Sequence, residues 1–265
     1  MYAFKYHRPA TARSAASLLG KYEDGKLLAG GQTLLPTMKQ RLAQPAHIVD
    51  LQGCADLRGI EQKGRNIVIG AMTKHAEVAD SDVVKKAIPA LAELAGMIGD
   101  PHVRNRGTLG GSVANNDPAA DYPAACLALN ATIVTNKRKI PADEFFTGMF
   151  ETALAEGEVI TKVSFPIPTK AGYAKFRNPA SRYALVGVFV SKKSKEVRVA
   201  VTGAGAKGVF RAKTIEGVLM AKFAAKSLDG VTIPAAGINA DMHADAAYRA
   251  HLIGVMARRA VASAA

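Results

Sequence analysis

The sequence has only two cysteines, Cys54 and Cys126, in 265 residues. Iron–sulfur clusters are held by four thiolates, or by two thiolates and two histidines in spaced pairs, so this chain carries no cluster of its own. Two lone cysteines in a chain read as cytoplasmic are expected to be small buried hydrophobes rather than a disulfide. No segment approaches the roughly eighteen consecutive apolar residues of a membrane span, and Met1-Tyr-Ala-Phe-Lys-Tyr-His-Arg-Pro9 lacks a signal-peptide core. A cytoplasmic location is the resulting expectation.

Acidic residues are also scarce, 22 against 35 lysines and arginines, giving a net charge of +13. Such a balance invites a nucleic-acid reading, because basic proteins release counterions from phosphates. The cations are spread along the chain, however, and no zinc-finger, helix-turn-helix or RNP-like pattern accompanies the runs Lys137–Lys139 and Lys192–Lys195, which read as solvated turns. A surface for an acidic partner subunit or an anionic cofactor remains open.

Catalytic signatures are missing too. The histidines His7, His47, His75, His102, His243 and His251 show no zincin spacing, and no nucleophile elbow or Walker A lysine loop occurs. Asp241, His243 and Asp245 offer either a metal ligand set or, as read here, a cap for the final helix through Asp245. With no catalytic residue and no metal site evident, a bound cofactor would have to supply the chemistry.

At 49% hydrophobic residues the chain can bury two or three small cores. Its pattern predicts a helix over Thr11–Tyr22, a strand at Lys26–Ala29, a helix over Leu35–Leu42 and a strand at His47–Leu51. A second unit follows, with a strand at Asn66–Met72, helices at His75–Asp80, Pro89–Ile98 and Tyr122–Leu129, and strands at Thr132–Thr135 and Glu158–Phe165. Beyond Pro166–Gly172, the segments Ala184–Val190 and Glu196–Val201 read as an antiparallel hairpin across Ser191–Lys195, followed by helices at Lys213–Lys222 and Asp245–Val261.

Two glycine-rich turns stand out: Ala29-Gly-Gly-Gln-Thr-Leu-Leu-Pro36 and, about eighty residues later, Thr108-Leu-Gly-Gly-Ser-Val-Ala-Asn-Asn-Asp-Pro-Ala-Ala-Asp121. Glycine lets backbone N–H groups converge on phosphate oxygens without a Cβ in the way, and each turn leads into residues able to start a helix. Gln32, Thr33, Ser112, Asn115 and Asn116 add side-chain donors. The pair reads as two halves of one pyrophosphate cradle. A formal Gly-x-Gly-x-x-Gly at Gly203–Gly208 follows the second arm of the hairpin and lacks the parallel βαβ context that a Rossmann site requires.

The two turns, together with Ile48–Leu51, Arg104–Asn115, Asp117–Asp121 and Phe176–Ala184, resemble the FAD-binding medium subunits of molybdenum hydroxylases, the group of carbon monoxide and xanthine dehydrogenases. The resemblance runs from near residue 1 to near residue 262. It implies an α+β chain: two α/β subdomains, 1–55 and 56–172, form a PCMH-type FAD-binding domain, and a C-terminal domain of antiparallel strands and helices spans 173–265. By matching position, Ala29, Gly30, Gly31, Gln32, Thr33, Leu34 and Leu35 would wrap the pyrophosphate from one side, and Thr108, Gly110, Gly111, Ser112, Asn115 and Asp117 from the other. Asp121 would hydrogen-bond the polar part of the flavin, and Tyr183 would sit near the isoalloxazine. Gln32 stands where many relatives have histidine, and glutamine cannot form a histidyl–flavin bond; non-covalent FAD is expected.

The same resemblance implies partners: a large molybdenum-cofactor subunit and a small subunit with two [2Fe-2S] clusters, assembled as a dimer of heterotrimers without nucleic acid or membrane span. This chain would then receive electrons from the clusters and pass them to an external acceptor. The alternative is a stand-alone, non-covalent FAD oxidoreductase with its own substrate pocket.

Overall fold

The protein is described here by a computed structural model covering residues 1–265. Its first sheet has three parallel strands, with His47–Asp50 between Lys5–His7 and Gly25–Leu28. Helix Ala12–Lys21 connects two of them and starts at a capping box in which Thr11 and Ser14 satisfy each other's backbone N–H groups. Strand Lys5–His7 escaped the sequence reading because its three residues are too short to show a period.

The second sheet is antiparallel throughout, in the spatial order Ile60–Lys63, Asn66–Gly70, Ile160–Pro166, Thr132–Thr135, Lys139–Pro141. Helices Pro89–Gly96, Leu109–Asn115 and Tyr122–Ala128 supply buried residues to the same core as this sheet. The run Lys137–Lys139 is part turn and part strand, and its Arg138 is committed to Glu158 at 3.0 Å.

The third sheet, also antiparallel, runs Lys170–Arg177, Ala184–Lys193, Glu196–Thr202, Phe210–Arg211. The expected hairpin is present, with its turn shortened to Ser194–Lys195 and Ser194 at φ 56°. Strand Lys170–Arg177 was not foreseen: Pro166–Gly172 was read only as the boundary where the pattern changes, whereas its prolines punctuate two consecutive strands.

Helices cover both faces of this sheet, which explains the unbroken apolar run of its central strand. Phe189 points into the core shared with the second sheet, while Val186, Val188 and Val190 point into a separate core completed by helix Ala246–Ala262. Arg198 and Ser191 fasten the two layers by donating to the carbonyls of Leu127 (2.8 Å) and Ala128 (2.5 Å) at the end of helix Tyr122–Ala128. No helix is long and apolar enough to cross a membrane. Cys54 and Cys126 are both buried free thiols, as expected.

Candidate functional site: a cleft between two glycine turns

A cleft of about 900 Å³ runs between the first and second sheets and reaches the Asn178–Tyr183 loop of the third. It falls in the range of roughly 300–1,000 Å³ typical of cofactor sites. Of the residues expected at a site, Ala29, Gly30, Gly31, Gln32, Thr33, Leu34, Thr108, Gly110, Gly111, Ser112, Asn115, Asp117, Asp121 and Tyr183 all line it. Leu35 does not. Its side chain folds behind the first turn and packs with Leu28, Met38 and Ile48.

The two turns touch. A Cβ placed on Gly30 would stand 2.7 Å from the Cα of Gly107, just ahead of the second turn, and one on Gly111 would meet the Cβ of Ala29 at 3.4 Å. A Cβ on Gly110 would stand 2.6 Å from that of Ala71. Glycine at positions 30 and 110 is therefore demanded by close backbone approach.

The turns differ in what they present. In the first, the backbone N–H groups of Ala29 through Leu34 make no hydrogen bond within the chain, and helix Leu34–Lys39 begins there. Consecutive free N–H groups along a cleft wall form an anion-binding concavity. In the second, the glycine pair lies inside the first turn of helix Leu109–Asn115 rather than ahead of it. There the Leu109 N–H donates to the Thr73 carbonyl, that of Gly110 to Ala71, and those of Gly111 and Ser112 to the Thr108 hydroxyl and carbonyl. The two halves of the expected cradle are therefore unlike: the second turn contributes closeness and the side chains of Ser112 and Asn115, neither of which bonds elsewhere in the chain.

Asp117 and Asp121, also on the cleft wall, belong to a segment pinned by the third sheet. The Gly203 N–H and the buried Thr202 hydroxyl reach the Pro118 carbonyl at 2.8 and 3.0 Å. Burial pushes the Asp117 carboxyl above the usual carboxylate range. Burial raises Asp121 as well, against the pull of Lys175 and Tyr173. Tyr183 lines the cleft near these two carboxyls and remains about half exposed, and burial raises its phenol.

Two cleft residues escaped the sequence reading. Lys175 lies on the unforeseen strand, with nothing around it in sequence to separate it from the other lysines. His75, at the start of helix His75–Asp80, is 4% exposed, and its Nδ1 has no partner. Burial, reinforced by Arg104, lowers its pKa to about 4, so the ring is neutral near pH 7. The lone-histidine pattern was recognisable, but its burial was not.

The competing motifs find structural uses. Gly203–Gly208 lies after an antiparallel strand and away from the cleft, and the Gly203 carbonyl accepts from Arg249 at 2.6 Å. Asp241 pairs with Arg249 at 2.6 Å, and Asp245 caps the final helix through the Tyr248 N–H. No grouping of histidine, cysteine, aspartate or glutamate is suited to a metal.

A partly apolar cleft of cofactor size, with an N–H-lined turn and buried polar groups on its walls, defines a protein that binds a dinucleotide cofactor. Residues 2–168 match the family described as "FAD binding domain in molybdopterin dehydrogenase". The chain belongs to that family. It is 36% identical to the carbon monoxide dehydrogenase medium chain of Hydrogenophaga pseudoflava, over 97% of this chain and 96% of that one. It is equally identical to the nicotine 6-hydroxylase medium subunit of Paenarthrobacter nicotinovorans, over 99% and 97%. A solved chain of CO dehydrogenase from Oligotropha carboxidovorans superposes with a TM-score of 0.88 at 33% identity, covering 98% of this chain and 97% of that one. FAD is the cofactor of this family, and the free N–H row, the contact between the turns and the cleft volume fit it.

Proposed function

We propose that this chain is the FAD-carrying medium subunit of a multi-subunit, molybdenum-containing dehydrogenase. The observation that carries the reading is the contact between the two glycine turns, which places six unbonded backbone N–H groups along one wall of a cofactor-sized cleft. When bound there, FAD supplies two-electron redox chemistry.

The chain's own residues hold and orient it. Ala29 through Leu34 would receive the pyrophosphate on their N–H groups, while Thr108, Ser112, Asn115 and Asp117 face them from the second turn. Tyr183 would cover the ring system and keep water from it. Neither cysteine lines the cleft, its only histidine, His75, is buried, and Gln32 stands in the first turn, all of which support the reading of non-covalent binding.

The molybdenum cofactor and two [2Fe-2S] clusters would reside on large and small partner subunits, in a dimer of heterotrimers in the cytoplasm. The chain itself would divide into units 1–55, 56–172 and 173–265, with the cofactor between the first two. The relatives' names include carbon monoxide and nicotine enzymes, which fits substrate chemistry on another subunit.

Gentle isolation of the tagged chain from its native host, with subunit content, visible spectrum and Mo, Fe and FAD determined together, tests this reading. Flavin with iron–sulfur absorption, molybdenum and two co-purifying chains is the expected result. Stoichiometric flavin on a solitary chain without iron or molybdenum would overturn it in favour of a stand-alone flavoenzyme.

A further inference from the structure

Lys175 and Asp121 both line the cleft, yet their side chains are only 1% and 4% exposed and meet at 2.9 Å. A pair of charges withdrawn from water is costly to maintain unless further hydrogen bonds complete it. Here both carboxylate oxygens of Asp121 are occupied within the chain: Oδ2 accepts from Lys175, and Oδ1 accepts from the hydroxyl of Tyr173, a core residue that does not reach the cleft.

Lys175 is placed differently. Its Nζ donates to Asp121 and, at 3.2 Å, to the carbonyl of Met97, the residue that ends helix Pro89–Gly96 and so marks the negative end of its dipole. An ammonium has three N–H donors, and the third has no acceptor in the chain. The other cations along the cleft, Lys26 and Arg182, are exposed, so water screens them. The acidic residues there are Glu23, Asp117, Asp121, Glu156 and Glu158, of which Glu158 is paired with Arg138. Lys175 is thus the one cation that acts on the cleft through a water-poor medium, where a charge is felt most strongly.

We propose that Lys175 is the chain's charged hydrogen-bond donor to the reduced form of the bound flavin, with Asp121 and the Met97 carbonyl as its positioning groups. This rests on the FAD reading above and assigns Asp121 an indirect role. Oxidised FAD takes up two electrons and one proton to become an anionic reduced flavin. The electrons come from the iron–sulfur partner in the proposed enzyme, or from dithionite in the test, and the proton comes from solvent. A fixed cation beside the added negative charge favours reduction and raises the potential.

The test uses the full chain loaded with FAD and titrated with dithionite against a dye of known potential, for the parent protein and for Lys175→Met, Lys175→Gln and Lys175→Arg. The neutral variants should lower the equilibrium constant for two-electron reduction about tenfold, equivalent to about 30 mV, while Lys175→Arg stays within about threefold of the parent. Should Lys175→Met fail to fold, Lys175→Gln, which can still donate to Met97, decides the matter. A fully flavinated Lys175→Gln with the parent potential overturns the proposal and leaves the FAD reading standing, as does a Lys175→Arg that falls as far as Lys175→Gln. A parent chain that retains no FAD after loading and gel filtration overturns both.

Discussion

Gly30 and Gly107 face each other across the two halves of the cleft so closely that a Cβ on Gly30 would stand 2.7 Å from the Gly107 Cα. The obstacle is backbone on both sides, and no side-chain rotation relieves it. Gly30→Ala should therefore separate the turns, cost about 1–3 kcal/mol of stability and weaken FAD binding at least tenfold. Urea unfolding and a flavin titration of the folded protein measure the two effects separately, and unchanged FAD affinity would show that the contact between the turns is not needed for binding.

His75 makes stability depend on pH in a defined direction. Its folded pKa of about 4 lies below the ordinary value of 6.5, so between these values the unfolded chain binds the extra proton. The contribution is fully present above about pH 6.5 and falls as the pH drops towards 4, by up to about 3 kcal/mol. Replacing His75 with Leu should flatten that part of the curve, as read by urea unfolding at pH 7 and pH 5.

Glu158 is buried between the Thr135 hydroxyl, the Ala155 N–H and Arg138, with Arg138 the leading cause of a pKa lowered to about 2. The stability it provides is present above the ordinary carboxylate range and is lost as the pH falls towards 2. Glu158→Gln removes the charge but keeps the shape. Because Arg138 is half exposed and can turn to water, the expected loss is about 1–3 kcal/mol. A melting temperature equal to the parent's would show that the network contributes nothing.

Tyr183 is a large aromatic left half exposed at the mouth of the cleft. If it stacks on the flavin, Tyr183→Ala should weaken FAD binding about tenfold, or about 1.4 kcal/mol, and brighten flavin fluorescence by removing a quencher. Tyr183→Phe should retain the affinity. Fluorescence titration of both variants checks this, and equal affinities for Ala and Phe would place the ring elsewhere.

Much of this arrangement was legible in one dimension because it depends on local chemistry. Asp245 caps the final helix as read, since a cap involves residues three positions apart. The hairpin from Ala184 to Thr202 was visible in its β-branched runs and polar turn. Strand Lys170–Arg177 was hidden by the prolines just before it, and the glycine pair at 110 and 111 was read as a turn ahead of a helix although helix Leu109–Asn115 contains it. Glycine disfavours helix locally, but packing of Gly110 on Ala71 decides the matter.

The sequence by itself determined that two glycine turns exist, that the chain carries no cysteine ligand set for a cluster, and that its family resemblance points to FAD. Which turn offers free N–H groups was decided only in three dimensions, because the Thr73 and Ala71 carbonyls, distant in sequence, take up those of Leu109 and Gly110. Tertiary structure likewise singled out Lys175 and His75 from the other basic residues. A side chain's chemistry is written in its type, but its exposure to water, and so the reach of its charge, depends on what the rest of the chain packs around it.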